Sequence, residues 1–554
     1  MNPKQLDRRH VLLAVILVLT GSLRIASTYN VFSHTMDEPD HLGAGMQYLS
    51  TGQYTYEDAH TPLARVFAAV GPFLAGERFH NGPILYRESY RILGAGQHYQ
   101  RILTLGRLGI LPFFWLASAV VFLWGNRSGG PLAALIATLL FTTLPPILAH
   151  SAVITTDMAL AATVGAAVYA SLLWAEKPSR TRTAALGALI GLALTAKLSA
   201  IPYLMAAWLL MYAWHWYRAF AENHSLTVVA PIGAARVSKR LPGSTESRGQ
   251  RSSFRQELTC IWNHLLPLAA VSGIACLTIW AVYGFHFGPV PYLHCSLPAP
   301  EFFTGMASVW HHNQNGHASY LLGHRRTIGV WYFFPVVLAV KTPLAMLLLL
   351  VLTPCLAGRM RGRAAIASAV AFSAGILLFA MTSRINIGVR HVLPVYIGFS
   401  VICGVAAAVL LQDGRRSWTA AKIAILALLA WHIVSGARQH PDYLAYTNEI
   451  AGDHPEDFVA DSDLDWGQDM KRLGEYFQRI GVREITFRPY SVAYLTMGGP
   501  PLPRMLPSDW DRPSPGWNAV SLSEWKVFNH PGWVNGRKPQ VRIGRTTWLW
   551  YFPP

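Results

Sequence analysis

Long hydrophobic runs with few or no charged residues recur along the whole chain and constrain its fold more than any other feature. They are roughly 18 to 25 residues long, the length that an α-helix needs to cross a hydrocarbon layer about 30 Å thick. Of the 554 residues, 52% are hydrophobic and 14% are charged, against about a quarter charged in ordinary globular domains. The sequence therefore excludes a single soluble enzyme and predicts a polytopic α-helical membrane protein.

The lengths of these runs predict about 11 transmembrane helices. The candidate spans are 11–27, 105–124, 130–148, 153–174, 183–198, 200–217, 261–285, 329–354, 364–382, 392–411 and 423–436. The first span follows Lys4, Arg8 and Arg9, as a signal peptide would, but it is long and lacks a convincing small-residue cleavage site. We therefore interpret it as an uncleaved anchor.

Basic residues indicate how the chain is oriented. The 46 Lys and Arg outnumber the 29 Asp and Glu, which gives a net charge of +17. These residues are spread between the spans and are not clustered with aromatic residues, which argues against nucleic-acid binding. Alternating the spans across the membrane places the basic loops near 177–182, 218–255, 359–363 and 415–422 on the side of the N-terminus. Because cytoplasmic loops are enriched in Lys and Arg, we predict that the N-terminus is cytoplasmic.

The odd number of spans places three large segments together on the opposite side. These segments are 28–104, 286–328 and 437–554. We predict a transmembrane domain over 1–436, with the first two segments as its outer loops, and an extracytoplasmic C-terminal domain over 437–554.

The C-terminal tail changes in composition and predicts a small α/β domain. Met470, Leu473, Phe477 and Ile480 lie on one face of a predicted helix that stops at Gly481. The string VREITF that follows alternates like a β-strand.

An acidic pair, Asp37 and Glu38, follows the first span by about ten residues. This short tether keeps the pair at the outer surface of the membrane. Two interpretations stay open: a solvated pair of loop carboxylates, or a general base in an interfacial active site.

His60 precedes a predicted interfacial helix. Thr61 can cap this helix and Pro62 suits its first position. An apolar stripe follows at helical spacing, made of Leu63, Val66, Phe67, Val70 and Phe73. The helix could equally pack against neighbouring spans, and a histidine here is more often a capping or hydrogen-bonding residue than a ligand.

Three charged residues, Asp157, Lys197 and Lys341, lie at membrane depth. An unpaired carboxylate there costs several kcal/mol, so Asp157 needs either a partner or a function. For the two lysines, a functional cation competes with a side chain that extends to the lipid headgroups.

Paired cations occur in the short outward loop SRINIGVRHVLPVY, against the usual charge bias. They are Arg384 and Arg390, with His391 beside the second. A lipid phosphate would explain them, since arginine presents a planar fork of donors to phosphate oxygens. Attraction to anionic headgroups is the alternative.

Two polar clusters could be mistaken for metal sites. The first holds His311, His312, His317 and His324, without HExxH or CxxC spacing. The second holds Asp461, Asp463, Asp465 and Asp469, without the glycine and terminal glutamate of a calcium loop. We predict no metal ligands in either cluster and expect helix capping from the aspartates.

Several of these strings occur in the order found in one enzyme family. The Asp37-Glu38 pair, the string Asp58-x-His60-x-Pro62-Leu63 and Asp157 come first. The segments YLLG, FPVVLAVKTPL, NIGVRHVLPVY, HPDYLAY and DSDLDWGQD follow. In this order the chain resembles the polyprenyl-phosphate-sugar-dependent glycosyltransferases of family 39, which are relatives of the protein O-mannosyltransferases and the aminoarabinose transferases. One departure is Thr61, where the first of two paired prolines is usual.

The resemblance implies the GT-C fold, with a cavity that faces outwards and admits a lipid-linked sugar from the bilayer. It implies displacement at the anomeric carbon of a polyprenyl-phosphate sugar, with inversion. Asp37 is then the base, and the cations form a phosphate clamp, namely Lys197, Arg390 and either Lys341 or His391. Glu38, His60 and Asp157 orient the donor sugar, the acceptor or one another.

The expected partners are the lipid bilayer, a polyprenyl-phosphate-linked sugar donor and a protein, lipid or glycan acceptor. No cofactor is implied, and a requirement for a divalent metal stays open. The closest resemblance is to bacterial members, which implies the inner membrane. The sugar and the acceptor do not follow from a fold.

Two alternatives stay open. A transporter or flippase would also have many spans and charges at membrane depth, but it should show related halves or paired broken helices, and neither is evident. A polymerase or ligase of surface polysaccharide would need a different arrangement of loops.

Overall fold

The computed structural model describes residues 7–57, 59–80, 85–94, 98–227, 266–356, 363–415, 419–487, 503–507, 509, 511–528 and 530–554. The predictions made for Lys4, Asp58 and parts of the ranges 218–255, 261–285, 359–363 and 415–422 lie outside the described residues.

Helices make up most of the described chain, and each of the eleven predicted spans coincides with one or two of them. In chain order they are α1 (Arg8–Ala26), α2 (Glu38–Thr51), α3 (Pro62–Leu74), α4 (Leu85–Gly94), α5 (Tyr99–Leu108), α6 (Leu111–Gly129), α7 (Pro131–Thr143), α8 (Pro145–His150), α9 (Asp157–Glu176), α10 (Arg180–Ala196), α11 (Ala200–Thr227), α12 (Leu266–Val282), α13 (Pro300–Asn315), α14 (Phe333–Lys341), α15 (Leu344–Leu356), α16 (Arg363–Ala380), α17 (Val395–Gln412), α18 (Thr419–Arg438) and α19 (Met470–Arg479).

Five helical stretches among the described residues are long and apolar enough to cross a membrane: α1, α5 with α6, α9, α17 and α18. The pair α14 and α15 makes a sixth if the 114° bend between them lies within one span. The chain is thus an integral membrane protein, and the count of about 11 crossings remains a prediction.

Helix α17 packs against α6, α7, α15 and α16 and is buried over most of its length. Small residues allow this close approach, as is usual between membrane helices. A side chain at Gly404 would place its Cβ 2.7 Å from the backbone nitrogen of Ala137 on α7. The Gly404 position therefore sets how closely α17 and α7 approach.

The two segments predicted to be outer loops contain short helices and strands. In the first, α2 packs against α3 and α4. The second contains α13 and two antiparallel hairpins, formed by β1 (Phe287–Val290) with β2 (Cys295–Pro298) and by β3 (Ser319–Leu321) with β4 (His324–Arg326).

The tail contains one five-stranded sheet in the order β6-β5-β7-β9-β8. Its strands are β5 (Glu484–Phe487), β6 (Arg504–Leu506), β7 (Gly516–Ser521), β8 (Val541–Ile543) and β9 (Thr547–Phe552). Strand β5 runs parallel to β6 and β7, and β9 runs antiparallel to β7 and β8.

The helix and strand predicted in the tail are both present, as α19 and β5. Met470, Leu473 and Phe477 are buried as expected, whereas Ile480 lies beyond the end of α19 and is 41% exposed. Gly481 has a φ of 70°, which favours glycine and ends the helix where predicted. The domain boundary at 437 remains a prediction.

Candidate active site

Arg390 joins two of the predicted carboxylates. It lies in a short 3₁₀ helix, Val389–Val392, between α16 and α17. Its Nη1 atom donates a hydrogen bond to Oδ2 of Asp37 at 2.9 Å and lies 4.0 Å from Oδ2 of Asp157. Burial works against the charge of Arg390, but Asp37, Asp157 and Asp461 outweigh burial and raise its pKa. The outward loop therefore brings a stable positive charge to the acidic residues.

Asp157 has the partner that its position at membrane depth requires. It is fully buried at the start of α9, and Nζ of Lys197 donates to its Oδ1 atom at 2.6 Å. Its other carboxylate oxygen, Oδ2, is buried without a hydrogen-bond partner among the described residues.

His391 lies near this pair, and its ring is 6.4 Å from that of Phe334. Burial and the nearby charges of Lys197 and Arg390 hold the pKa of its imidazole well below the usual range. His391 is therefore neutral near pH 7, and the structure brings it together with Asp157, Lys197 and Arg390.

The Glu38 carboxylate accepts four hydrogen bonds, two from Arg107 and two from backbone N–H groups. Arg107 donates to both carboxylate oxygens at 2.8 Å, and the backbone N–H groups of Thr35 and Ile154 donate at 2.7 and 2.9 Å. Burial works to raise the pKa of Glu38, but Arg107 outweighs it and lowers the pKa. Sequence reasoning missed Arg107, although a charged residue inside the predicted span 105–124 was a signal of the same kind as Asp157.

His60 is held at the border of the site by Glu57. Both carboxylate oxygens of Glu57 lie 3.1 Å from Nδ1 of His60, whose side chain is 37% exposed. Burial works to raise the pKa of Glu57, but Arg65 and His60 hold it well below the usual range. Arg65 also donates to Nδ1 of His41 at 2.9 Å, and the His41 ring packs edge-on against His60 at 5.1 Å.

Thr61 and Pro62 begin α3 as predicted, since Thr61 is the N-cap residue and Pro62 is the first helical residue. The Thr61 side chain makes no capping hydrogen bond, and its Oγ1 atom is buried without a partner among the residues that the structure describes.

Lys341 binds the tail and contacts neither Asp37 nor Asp157 through its hydrogen bonds. Its Nζ atom donates to the carbonyl oxygen of Leu444 at 2.7 Å and to that of Asp463. The side chain is buried, so both contacts form away from bulk water. Lys341 thus fixes the position of the tail against α14.

The tail segment 461–466 holds the Arg390 loop in place. The Asp463 carboxylate accepts a hydrogen bond from the backbone N–H of Val389 at 2.9 Å, and Oγ of Ser462 donates to the carbonyl of Ile387 at 3.1 Å. These contacts tie the segment to the backbone on both sides of Gly388.

Trp466 completes this arrangement. The guanidinium carbon of Arg390 lies 4.2 Å from the centre of the Trp466 ring, a cation–π geometry. The carbonyl oxygen of Trp466 accepts from the backbone N–H of Met36 at 3.0 Å, next to Asp37. The string DSDLDWGQD was the signal for this contact, and sequence reasoning interpreted its aspartates as helix caps instead.

The aspartates of DSDLDWGQD were expected to cap helices, but the side chains of Asp461 and Asp469 do not have this role. Asp461 has a φ of 55°, and burial raises its pKa to about 7. Asp469 does occupy the N-cap position of α19, but its carboxylate accepts from Oγ1 of Thr546 at 2.9 Å and from Arg472 at 3.1 Å, without a side-chain cap. The capping prediction was therefore wrong for the Asp469 side chain.

The histidine cluster contains one close pair. Nε2 of His312 lies 3.2 Å from Nδ1 of His317. Within the described ranges there is no group of three or more His, Cys, Asp or Glu side chains that could hold a metal ion.

No protein-family model and no curated protein sequence matches the chain. Solved structures do resemble it. ArnT from Cupriavidus metallidurans bound to undecaprenyl phosphate is 14% identical, with a TM-score of 0.50 and 97% of each chain covered. The S. cerevisiae protein O-mannosyltransferase Pmt1-Pmt2 complex bound to the sugar donor is 11% identical, with a TM-score of 0.50, 79% of this chain covered and 90% of that chain.

The chain shares the fold of these two structures. The fold implied by the family resemblance is thus confirmed. A GT-C fold at this identity does not carry a substrate with it. The chemistry of the site depends on the residues that this chain places around Arg390.

Proposed function

We propose that the protein is a membrane glycosyltransferase that moves a sugar from a polyprenyl-phosphate donor to an acceptor on the outer face of the membrane. The observation that carries this proposal is the Arg390 cluster within a GT-C fold. Arg390 contacts Asp37 at 2.9 Å and lies 4.0 Å from Asp157. One cluster thus contains a cation for a phosphate and a carboxylate for a proton.

In the proposed reaction, an acceptor oxygen attacks the anomeric carbon of the donor sugar. Asp37 takes the proton of the acceptor hydroxyl as the new C–O bond forms. The bond between the anomeric carbon and the phosphate oxygen breaks, and polyprenyl phosphate leaves with its electron pair. Arg390 stabilises the negative charge that develops on the leaving phosphate. Attack from the face opposite the phosphate inverts the anomeric configuration.

Asp37 suits the role of base better than the other two predicted carboxylates. Its side chain is 32% exposed, so an acceptor can reach it. Glu38 has both oxygens occupied by Arg107 and two backbone donors, and Asp157 is fully buried against Lys197. We assign Glu38 and Asp157 to positioning.

The remaining predicted residues have supporting roles in this proposal. Lys197 neutralises Asp157 and adds positive charge beside Arg390, and the neutral His391 lines the same region. His60 borders the sugar. Lys341 acts through the tail, because its ammonium group is occupied by two carbonyl oxygens.

The test is an incubation of purified membranes with a panel of radiolabelled polyprenyl-phosphate sugars, with and without a chelator. We expect one donor to be consumed with release of polyprenyl phosphate and appearance of the label in an acceptor. A chelator effect would reveal a divalent metal requirement. Label that crosses the membrane with the sugar still attached to its lipid would identify a flippase and contradict the proposal.

A further inference from the structure

Asp40 is an acidic residue that the proposed reaction does not use, although it lies beside the proposed base. Asp37 is the N-cap residue of α2, and Asp40 follows it by three positions. Residues three apart on a helix lie on the same face. The neighbours of Asp40 face other partners, since Glu38 binds Arg107 and His41 accepts from Arg65.

One oxygen of the Asp40 carboxylate, Oδ1, is buried and has no hydrogen-bond partner within the described part of the chain. The charged groups that face Asp40 are Arg65, Asp37 and Glu57. Arg65 is already committed, because it donates to His41, Tyr54 and Glu57. Burial raises the pKa of Asp40 to about 6, so the carboxylate is mostly ionised at pH 7.

Two further buried polar atoms, which belong to the Arg390 cluster, have no hydrogen-bond partner among the residues described. They are Oδ2 of Asp157 and Nε of Arg390, and both residues are more than nine-tenths buried. A buried polar atom is costly to leave unpaired, and native proteins rarely do so without a reason. Asp40 is linked to these two residues through Asp37, which lies near Asp40 and contacts Arg390. We therefore interpret the three atoms as groups that a polar ligand would contact.

The chemistry of Asp40 indicates which part of that ligand it would contact. An ionised carboxylate only accepts hydrogen bonds. The leaving phosphate cannot be its partner, since a phosphate is also an acceptor and carries the same charge. Hydroxyl groups of the transferred sugar are donors. In the proposed reaction this sugar is attached to the phosphate at Arg390, and Arg390 contacts Asp37 on the same stretch of chain as Asp40.

We propose that Asp40 binds the transferred sugar by accepting hydrogen bonds from its hydroxyl groups, and so helps to determine which sugar is used. This assignment rests on the proposed glycosyl transfer. It differs from the role of Asp37, because Asp40 would select the sugar without taking the acceptor proton.

The test compares the wild type with Asp40→Ala and Asp40→Asn, using the donor that the wild type consumes and a set of deoxy analogues that each lack one hydroxyl group. Loss of a hydrogen bond to a charged group should raise the KM for the full donor by roughly 10- to 100-fold in Asp40→Ala. Asp40→Asn should lie between Asp40→Ala and the wild type because the amide keeps one acceptor oxygen.

The decisive result is the response to the deoxy donors. One analogue should be a poor donor for the wild type, yet Asp40→Ala should use it as well as it uses the full donor. Sugar-free polyprenyl phosphate should bind both variants as it binds the wild type. Glu77→Ala, in the same outer segment, is the matched control and should leave the ranking of donors unchanged.

If Asp40→Ala ranks the deoxy donors as the wild type does, or loses binding of sugar-free polyprenyl phosphate, the sugar-binding role is overturned while glycosyl transfer stands. If the wild type transfers no sugar from any donor, the proposed function fails, and the Asp40 assignment fails with it.

Discussion

Arg390 donates a hydrogen bond of 2.9 Å to Asp37 across 353 positions of the chain. The contact joins the loop before α17 to the N-cap of α2. It also occupies one oxygen of the proposed base. A phosphate bound at Arg390 would compete for the same guanidinium donor and release this oxygen. The pair thus couples the proposed phosphate site to the proposed base.

Replacement of Arg390 should weaken binding of the donor. Arg390→Lys keeps the charge but loses the planar fork of donors, so affinity should fall clearly. Arg390→Ala should lower it further, by roughly 10- to 100-fold relative to the wild type. Binding of radiolabelled donor to the purified proteins measures the affinity of both variants. Unchanged binding in Arg390→Ala would remove this residue from the donor site.

Replacement of Asp37 should abolish most turnover while donor binding survives. Asp37→Asn keeps the size of the side chain but loses the proton acceptor, so turnover should drop by roughly 10² to 10⁴. Asp157→Asn must be assayed beside it. If Asp37→Asn keeps near-normal turnover while Asp157→Asn is inactive with its donor still bound, the two roles are reversed.

Glu38 should matter for folding more than for chemistry. Glu38→Ala would leave Arg107 buried and unpaired, and breaking a buried ion pair in this way costs roughly 3 to 5 kcal/mol. We expect a clearly lower melting temperature in detergent for Glu38→Ala, with Glu77→Ala as the control that melts like the wild type. Equal melting temperatures for Glu38→Ala and the wild type would refute the structural role.

Asp461 should make stability depend on pH. Its pKa is about 7 in the folded protein, against about 4 in an unfolded chain. Between these values the folded state holds a proton that the unfolded state has lost, so stability falls as pH rises through this window. Asp461→Asn removes this loss and keeps an oxygen for the N–H of Ser462.

Melting temperatures of the wild type and Asp461→Asn at pH 5 and pH 8 provide the measurement. The melting temperature of Asp461→Asn should exceed that of the wild type by a larger margin at pH 8 than at pH 5. An equal difference at both pH values would show that this carboxyl group does not titrate in the expected window.

The predicted topology places the tail and both outer segments opposite the cytoplasm. Alkaline phosphatase fused after residue 440 should therefore be active in a bacterial host, and fusions after residues 240 and 415 should be inactive. The reverse pattern would invert the topology.

Several features of this protein follow from sequence because they depend on neighbouring residues. Hydropathy along the chain predicts the helical stretches, and turn residues such as Gly481 predict where α19 ends. Asp37, Asp157, Lys197, Arg390 and His391 could also be found, since polar groups at membrane depth or beside it are costly and therefore conspicuous.

The partners of these residues could not be predicted from sequence. Arg107 lies 69 positions from Glu38, and the contact of Arg390 with Trp466 depends on how the tail packs against the loop before α17. The DSDLDWGQD string was identified as part of the family resemblance. Its local pattern fits helix caps as well as it fits a segment that contacts the Arg390 loop.

The sequence by itself determined that this chain is a helical membrane protein with charged residues where lipid makes them expensive. Only the tertiary structure decided that Asp37 pairs with Arg390, that Glu38 is enclosed by Arg107 and two backbone donors, and that Lys341 faces the tail. The physical reason is the separation along the chain over which each feature is decided. Hydropathy and helix ends are set within a few turns of chain, whereas a charge finds its partner only after distant segments pack together and exclude water.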